Sequence, residues 1–172
     1  MKFKVFITIL FVGLLLVVQR AEMRAQGTKT IVLVRHAEKD VSPTADKADP
    51  KLTPEGRERA HQLLLAVKKY KPHEIFSTDY KRTRDTVEPI AKYRKKSIQI
   101  YDAAKPNELV AKIMTSKTDH YLIVGHSNTI PPLANLLVKK EIFRNLLDPE
   151  HSVIWVIRMK KGTVTKIEIL SY

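Results

Sequence analysis

The sequence predicts a three-layer, doubly wound α/β domain: a mostly parallel sheet with helices on both faces and an antiparallel C-terminal hairpin at one edge. Three observations carry that prediction. Ile31–Val34 and Tyr121–Val124 are short unbroken apolar runs, the pattern of strands buried on both faces in the middle of a parallel sheet. Segments with helical periodicity separate such runs, which is the alternation of a parallel sheet with crossover helices. Finally, Val153/Trp155/Ile157 and Ile167/Ile169 alternate on either side of Lys160-Lys161-Gly162, a hairpin signal.

Taken in order, the first strand ends in Arg35-His36, a guanidinium followed at once by an imidazole. Residues 39–52 have no apolar period, carry two prolines and read as a loop, either a lid over whatever His36 contacts or a solvated connection. Thr53-Pro54 opens a first helix, with Thr as N-cap and Pro at the first helical position. Gly56 stands where a capping box needs Glu. Ala60, Leu63, Leu64, Val67 and Tyr70 supply the inward stripe.

Glu74–Ser77 is a second strand. A second helix is expected from Thr78 or Asp79 to about Lys95, kinked or cut short at Pro89. Ser97–Tyr101 reads as a third strand, and Pro106-Asn107 opens a third helix with Leu109, Val110, Ile113 and Met114 inward. The fourth strand ends in Gly125-His126. A fourth helix follows, capped by Ser127 or Asn128, with Pro131-Pro132 in its first turn. Strands at 152–158 and 163–170 complete the domain. Arg84 is expected either to lie at the surface or to pair with Glu88, and Asp85 to pair with Arg82. His61, His73, His120 and His151 stand at no motif.

The 172 residues, 44% of them hydrophobic, suit one domain over 28–172 behind a targeting segment at 1–25. Lys2 and Lys4 precede the apolar stretch Val5–Val18, a basic n-region and an h-region of signal-peptide length. The segment is either cleaved after Ala25 or kept as a signal anchor. An exported protein, periplasmic or extracellular, is therefore expected, with membrane association only if the segment is retained. The absence of cysteine excludes disulfides, thiolate metal sites and lipid attachment at a lipobox.

The net charge is +13. Removing residues 1–25 takes away Lys2, Lys4, Arg20, Arg24 and Glu22, leaving 27 basic against 17 acidic residues and +10. Nucleic acid is not the expected partner, because the basic runs Lys68-Lys69-Lys71, Arg94-Lys95-Lys96 and Lys139-Lys140 all end helices, where cations complement the macrodipole. Helix C-termini also lie on the rim opposite the carboxyl ends of parallel strands, where ligands bind.

That ligand-binding rim receives Arg35 and His36 from the first strand, Ser77 and then Arg82 after the second, and His126 from the fourth. Two arginines and two histidines brought together repel one another unless an anion offsets the charge. Guanidinia suit bidentate capture of a phosphoryl group. An imidazole among them can attack phosphorus while the arginines hold the charge that develops, with no metal required. Ser77 either touches phosphate or merely turns the chain.

These residues also form recognisable blocks. Arg35-His36-Ala37-Glu38 resembles the Arg-His-Gly signature of the histidine phosphatase (phosphoglycerate-mutase-like) superfamily, with Ala37 in the usual glycine position. Leu52-Thr53-Pro54-Glu55-Gly56 resembles its Leu-Thr-x-x-Gly helix start. Phe76-Ser-Thr-Asp-Tyr-Lys-Arg82-Thr-Arg-Asp-Thr86 resembles its Ser-x-x-x-x-Arg-x-x-x-Thr block, and Gly125-His126-Ser127-Asn128 its second-histidine motif. The four stand in the family's order and cover most of residues 30–130. The resemblance implies that His36 becomes phosphorylated, that Arg35, Arg82 and His126 form the phosphate pocket, and that no cofactor is used. It also implies a carboxylic acid that protonates the leaving group; Asp102, directly after the third strand, is favoured over Glu38.

A small phosphorylated substrate follows, a phosphomonoester or phosphohistidine, hydrolysed by a small open member of the family. The alternatives are a phosphomutase, a non-catalytic module that binds phosphate or a phosphorylated ligand, and a binder of anionic polymers.

Overall fold

Residues alternate sides along β1 (Thr28–Arg35), and that alternation builds the two halves of the core. Ile31 and Leu33 pack on one face with Leu109, Ile113, Leu133 and Leu137; Val32 and Val34 pack on the other with Leu63, Val67, Val87 and Ile90. The computed structural model describes residues 27–172, so the expected targeting segment lies outside the described residues.

The remaining elements are α1 (Pro54–Val67), β2 (Glu74–Ser77), α2 (Lys81–Arg94), β3 (Ile98–Ile100), α3 (Pro106–Thr115), β4 (His120–Gly125), α4 (Ile130–Val138), β5 (Val153–Lys160) and β6 (Thr163–Ser171). The sheet order is β3-β2-β4-β1-β5-β6. β1, β2, β3 and β4 run parallel, while β5 lies antiparallel to β1 and β6 antiparallel to β5. Helices α3 and α4 cover one face, α1 and α2 the other. This is the expected layered fold with its edge hairpin.

Local departures have local causes. Helix α2 begins at Lys81, later than expected, because Thr78, Asp79 and Tyr80 form an irregular turn above the end of β2. It then passes through Pro89 to Arg94. Burying Val87 and Ile90, about 1.5–3 kcal/mol each, outweighs the roughly 3 kcal/mol cost of an interior proline. Helix α4 starts at Ile130 with Thr129 at its N-cap, and Pro131 and Pro132 do lie in the first turn. The expected ion pairs on α2 form differently. Arg84 pairs with Asp79, Glu88 with Lys92 at 2.8 Å, and Arg82 faces Asp49 at 3.9 Å rather than Asp85. Asp49 comes from the 39–52 loop, which folds back onto the start of α2 and gives Arg82 the nearer carboxylate.

Candidate active site

The carboxyl ends of β1 and β4 are adjacent, Arg35 pairing with Gly125, and the backbone N–H of His36 donates to the Gly125 carbonyl at 2.9 Å. That register sets the two histidine-bearing turns side by side. Their rings lie 5.4 Å apart, centre to centre, edge on. Helix α2 is tied to the same place: the buried Thr86 hydroxyl donates to the Arg82 carbonyl at 2.7 Å and accepts from the Ala37 N–H at 2.9 Å. Helix α1 reaches it through Gly56, where a Cβ would overlap the backbone carbonyl of Glu38. Thr53 caps that helix by accepting from the Gly56 N–H at 3.0 Å.

A cleft of about 890 Å³ opens on this rim, lined among others by Arg35, His36, Arg82, Tyr101, Asp102 and His126. His36 is only 4% exposed, and its Nδ1 lies 2.7 Å from the Ala37 carbonyl. A carbonyl only accepts, so Nδ1 carries the proton and the lone pair belongs to Nε2. Burial, with the neighbouring His126, Arg35 and Arg82 adding to it, pushes the His36 pKa down to about 3. The Ala37 hydrogen bond opposes that shift. His126 is pushed down to about 4, by burial first and by Arg82, Lys39 and Arg35 after it. Both rings are neutral near pH 7, as a nitrogen nucleophile must be.

The arginines are held by different means. Arg35 Nη1 donates to the carbonyls of Leu147 and Asp148 at 2.7 and 2.9 Å, and Nη2 reaches the Asp148 carboxylate at 3.3 Å. The Arg82 guanidinium lies over the Tyr80 ring at 4.2 Å. The Nε of each arginine and the hydroxyl of Tyr101 are buried without a protein partner. Buried polar groups are normally paired. Three orphans on residues lining one cleft mark where an acceptor-rich, anionic ligand fits.

The other expected site residues separate. Asp102 lines the cleft, one carboxylate oxygen accepting from the Ala104 N–H at 2.9 Å. Glu38 does not line it; its carboxylate turns toward α1 and is bound by Arg59. Ser77 is fully buried beneath the cleft, its hydroxyl donating to the Thr78 carbonyl at 2.8 Å. The polar contact falls instead to the next residue, with Thr78 Oγ1 3.0 Å from His126 Nε2.

Residues that no motif singled out complete the surroundings. His151 Nδ1 donates to the His36 carbonyl at 2.9 Å, and its ring lies 5.8 Å from that of His36. Tyr80 packs edge on to His126 at 5.2 Å. Lys39 lines the cleft, so the start of the 39–52 loop does border the site. Among the described residues no cluster of histidine, aspartate and glutamate is placed to hold a metal ion.

Residues 31–105 match the family model of the histidine phosphatase superfamily, branch 1. That match places residues 31–105 in the histidine phosphatase superfamily. Solved structures share this fold over nearly their whole length. The protein histidine phosphatase SixA, complexed with tungstate, superposes with a TM-score of 0.68 at 15% identity, over 83% of this chain and 96% of that one. A mycobacterial glucosyl-3-phosphoglycerate phosphatase gives 0.62 at 14% identity, over 84% and 98%. A further neighbour is a mycobacterial hydrolase, at 0.63 and 15% over 84% and 98%. No curated protein matches the sequence.

Proposed function

We propose that this histidine phosphatase superfamily member is a metal-independent phosphohydrolase that works through a phosphohistidine on His36. One observation carries the reading: a buried, neutral imidazole with its lone pair on Nε2, set between two arginines that each keep an unpartnered Nε. The histidine is a nucleophile, and the surroundings suit the anion it would attack.

In the first step Nε2 of His36 bonds to phosphorus and the bond from phosphorus to the leaving oxygen breaks. The ring becomes cationic as it does so, and the Nδ1–H to Ala37 hydrogen bond strengthens with that charge. Arg35, Arg82 and His126 hold the phosphoryl oxygens where negative charge develops. Asp102 gives its proton to the departing oxygen. Water then attacks phosphorus, passing its proton to the Asp102 carboxylate, and the P–N bond breaks to return neutral His36. The open cleft suits hydrolysis better than a mutase, which must retain its released product. The basic and apolar N-terminal segment supports export, and with it small phosphoesters outside the cytoplasm as substrates.

Turnover of p-nitrophenyl phosphate in excess EDTA tests the reading. The wild-type protein is expected to turn over, and His36→Ala to lose at least about 10³-fold. Full activity in that variant overturns the mechanism. Tight phosphate binding without turnover of any phosphoester assigns the cleft to a binding module instead.

A further inference from the structure

Among the described residues, every non-glycine residue with positive φ is a lysine: Lys71, Lys95, Lys139 and Lys161. Glycine and asparagine suit left-handed positions, whereas a side chain with a Cβ is strained there. Lys71, Lys95 and Lys139 end helical segments, where a cation also complements the dipole. Lys161 sits in the β5–β6 hairpin and ends no helix, so the dipole does not account for it.

Topology puts all four on one rim. Lys71 and Lys95 precede β2 and β3, at the amino ends of parallel strands. Lys139 ends α4, which starts at the cleft rim and runs away from it. Lys161 follows Lys160, which pairs with Thr28 at the beginning of β1. Lys96, Lys140 and Lys160 adjoin them, and all seven are exposed and form no salt bridge among the described residues. The acids of this rim are engaged elsewhere: Asp119 with His73 at 3.2 Å, Glu74 with Thr118 at 2.8 Å, Glu141 with Asn135 at 2.9 Å.

The lysines border apolar ground. Gly27, Lys139 and Lys161 share a crevice of about 310 Å³ with Met114, Leu136 and Met159. Ile142, 54% exposed, lies beside it. The chain also enters here, since the apolar residues Val5–Val18 lead into Gly27 and β1. The cleft is at the far end of β1, about 23 Å away at the usual rise per residue.

We propose that this rim docks on an anionic lipid bilayer, its lysines against the headgroups, so that the cleft opens away from the membrane. Charge and chain continuity select the occupant. A lysine near an anionic leaflet strengthens attachment about fivefold, and the apolar N-terminal segment joins the fold on the same side. The surface is separate from the cleft, and the proposal does not depend on the reaction assigned there.

The test uses the full chain in nanodiscs of neutral phosphatidylcholine and in discs that also contain phosphatidylglycerol, read by hydrogen exchange. The N-terminal segment inserts into both compositions, and because it carries Lys2, Lys4, Arg20 and Arg24 of its own, the rim variant below separates its contribution from that of the segment. Exchange over 137–142 and 158–164 is expected to slow several-fold on the anionic discs alone. The protection should vanish at about 1 M salt, where the screening length is about 3 Å. It should also vanish in Lys139→Gln/Lys140→Gln/Lys160→Gln/Lys161→Gln, whose turnover of p-nitrophenyl phosphate stays at the wild-type level. Equal exchange on both discs, or protection at the cleft rim instead, overturns the proposal. Slowed exchange with soluble heparin but on neither disc also overturns it and assigns the rim to an anionic polymer.

Discussion

The Glu38 carboxylate is bound to Arg59 of α1, with Nε at 2.7 and 2.9 Å from its two oxygens and Nη2 at 2.7 Å. A carboxylate held this way points away from the cleft, although only one residue separates it from His36 in sequence. Asp102, far off in sequence, lines the cleft. Asp102→Asn is therefore expected to lose about 10²-fold or more on alkyl phosphates while nearly retaining p-nitrophenyl phosphate, whose leaving group needs no proton. Glu38→Gln is expected to leave the ratio of the two substrates unchanged. Steady-state kinetics on both esters checks the pair, and a changed ratio in Glu38→Gln would restore it as the donor.

Stability should fall in acid because of His36. Its unfolded pKa is near the ordinary histidine value of 6.5, while the folded value is about 3. Between those values the unfolded chain binds the extra proton and the native state does not. Stability therefore rises with pH across the window and falls as pH is lowered from about 6.5 toward 3, by up to about 1.4 kcal/mol per pH unit from this group. Above pH 6.5 the group contributes no slope. Urea unfolding at a series of pH values should show a shallower acid decline in His36→Asn than in wild type. Parallel curves would mean that His36 titrates alike in both states.

Gly56→Ala tests the close approach of α1 to the nucleophile turn. In an exposed helix interior that change is stabilising by about 1 kcal/mol. Here the new Cβ overlaps the Glu38 carbonyl, backbone that cannot give way cheaply. A loss of about 1–3 kcal/mol is expected, with kcat lowered because the Arg35–Glu38 turn must shift. Thermal denaturation and kinetics on the same preparation measure both.

The Tyr101 hydroxyl is buried beside the cleft with no protein partner, and burial raises its pKa well above the ordinary tyrosine value. It is thus a neutral donor. Tyr101→Phe is expected to leave stability unchanged or slightly improved, since it removes an unpaired polar group. The same change should weaken binding of inorganic phosphate by about 0.5–1.5 kcal/mol, the net worth of one hydrogen bond. Calorimetric titration of phosphate reads the second effect; unaltered affinity would place the hydroxyl outside the ligand's reach.

Arg82→Lys separates charge from geometry. A lysine keeps the cation but neither the planar fork nor the stack on Tyr80 at 4.2 Å. A fall of about 10²–10³-fold in kcat is expected, and near-wild-type turnover in a phosphatase assay would show that charge alone suffices.

The sequence alone determined the parts of the molecule that depend on short-range chemistry. The apolar runs Ile31–Val34 and Tyr121–Val124 had to be central strands because both their faces are buried, one in each half of the core. Thr53-Pro54 marked a helix start because cap and proline act within one turn. Arg35, His36, Arg82 and His126 were legible as a cluster because the ends of parallel strands share a rim. Beyond those ends, tertiary structure decided. Once a strand stops, no period governs where a side chain points, and partners from distant segments choose. Arg59 on α1 draws Glu38 away from the cleft. The 147–151 segment supplies the carbonyls that hold Arg35 and the imidazole that braces His36. Those contacts join residues 21 to 115 positions apart, and no local pattern carries a trace of them.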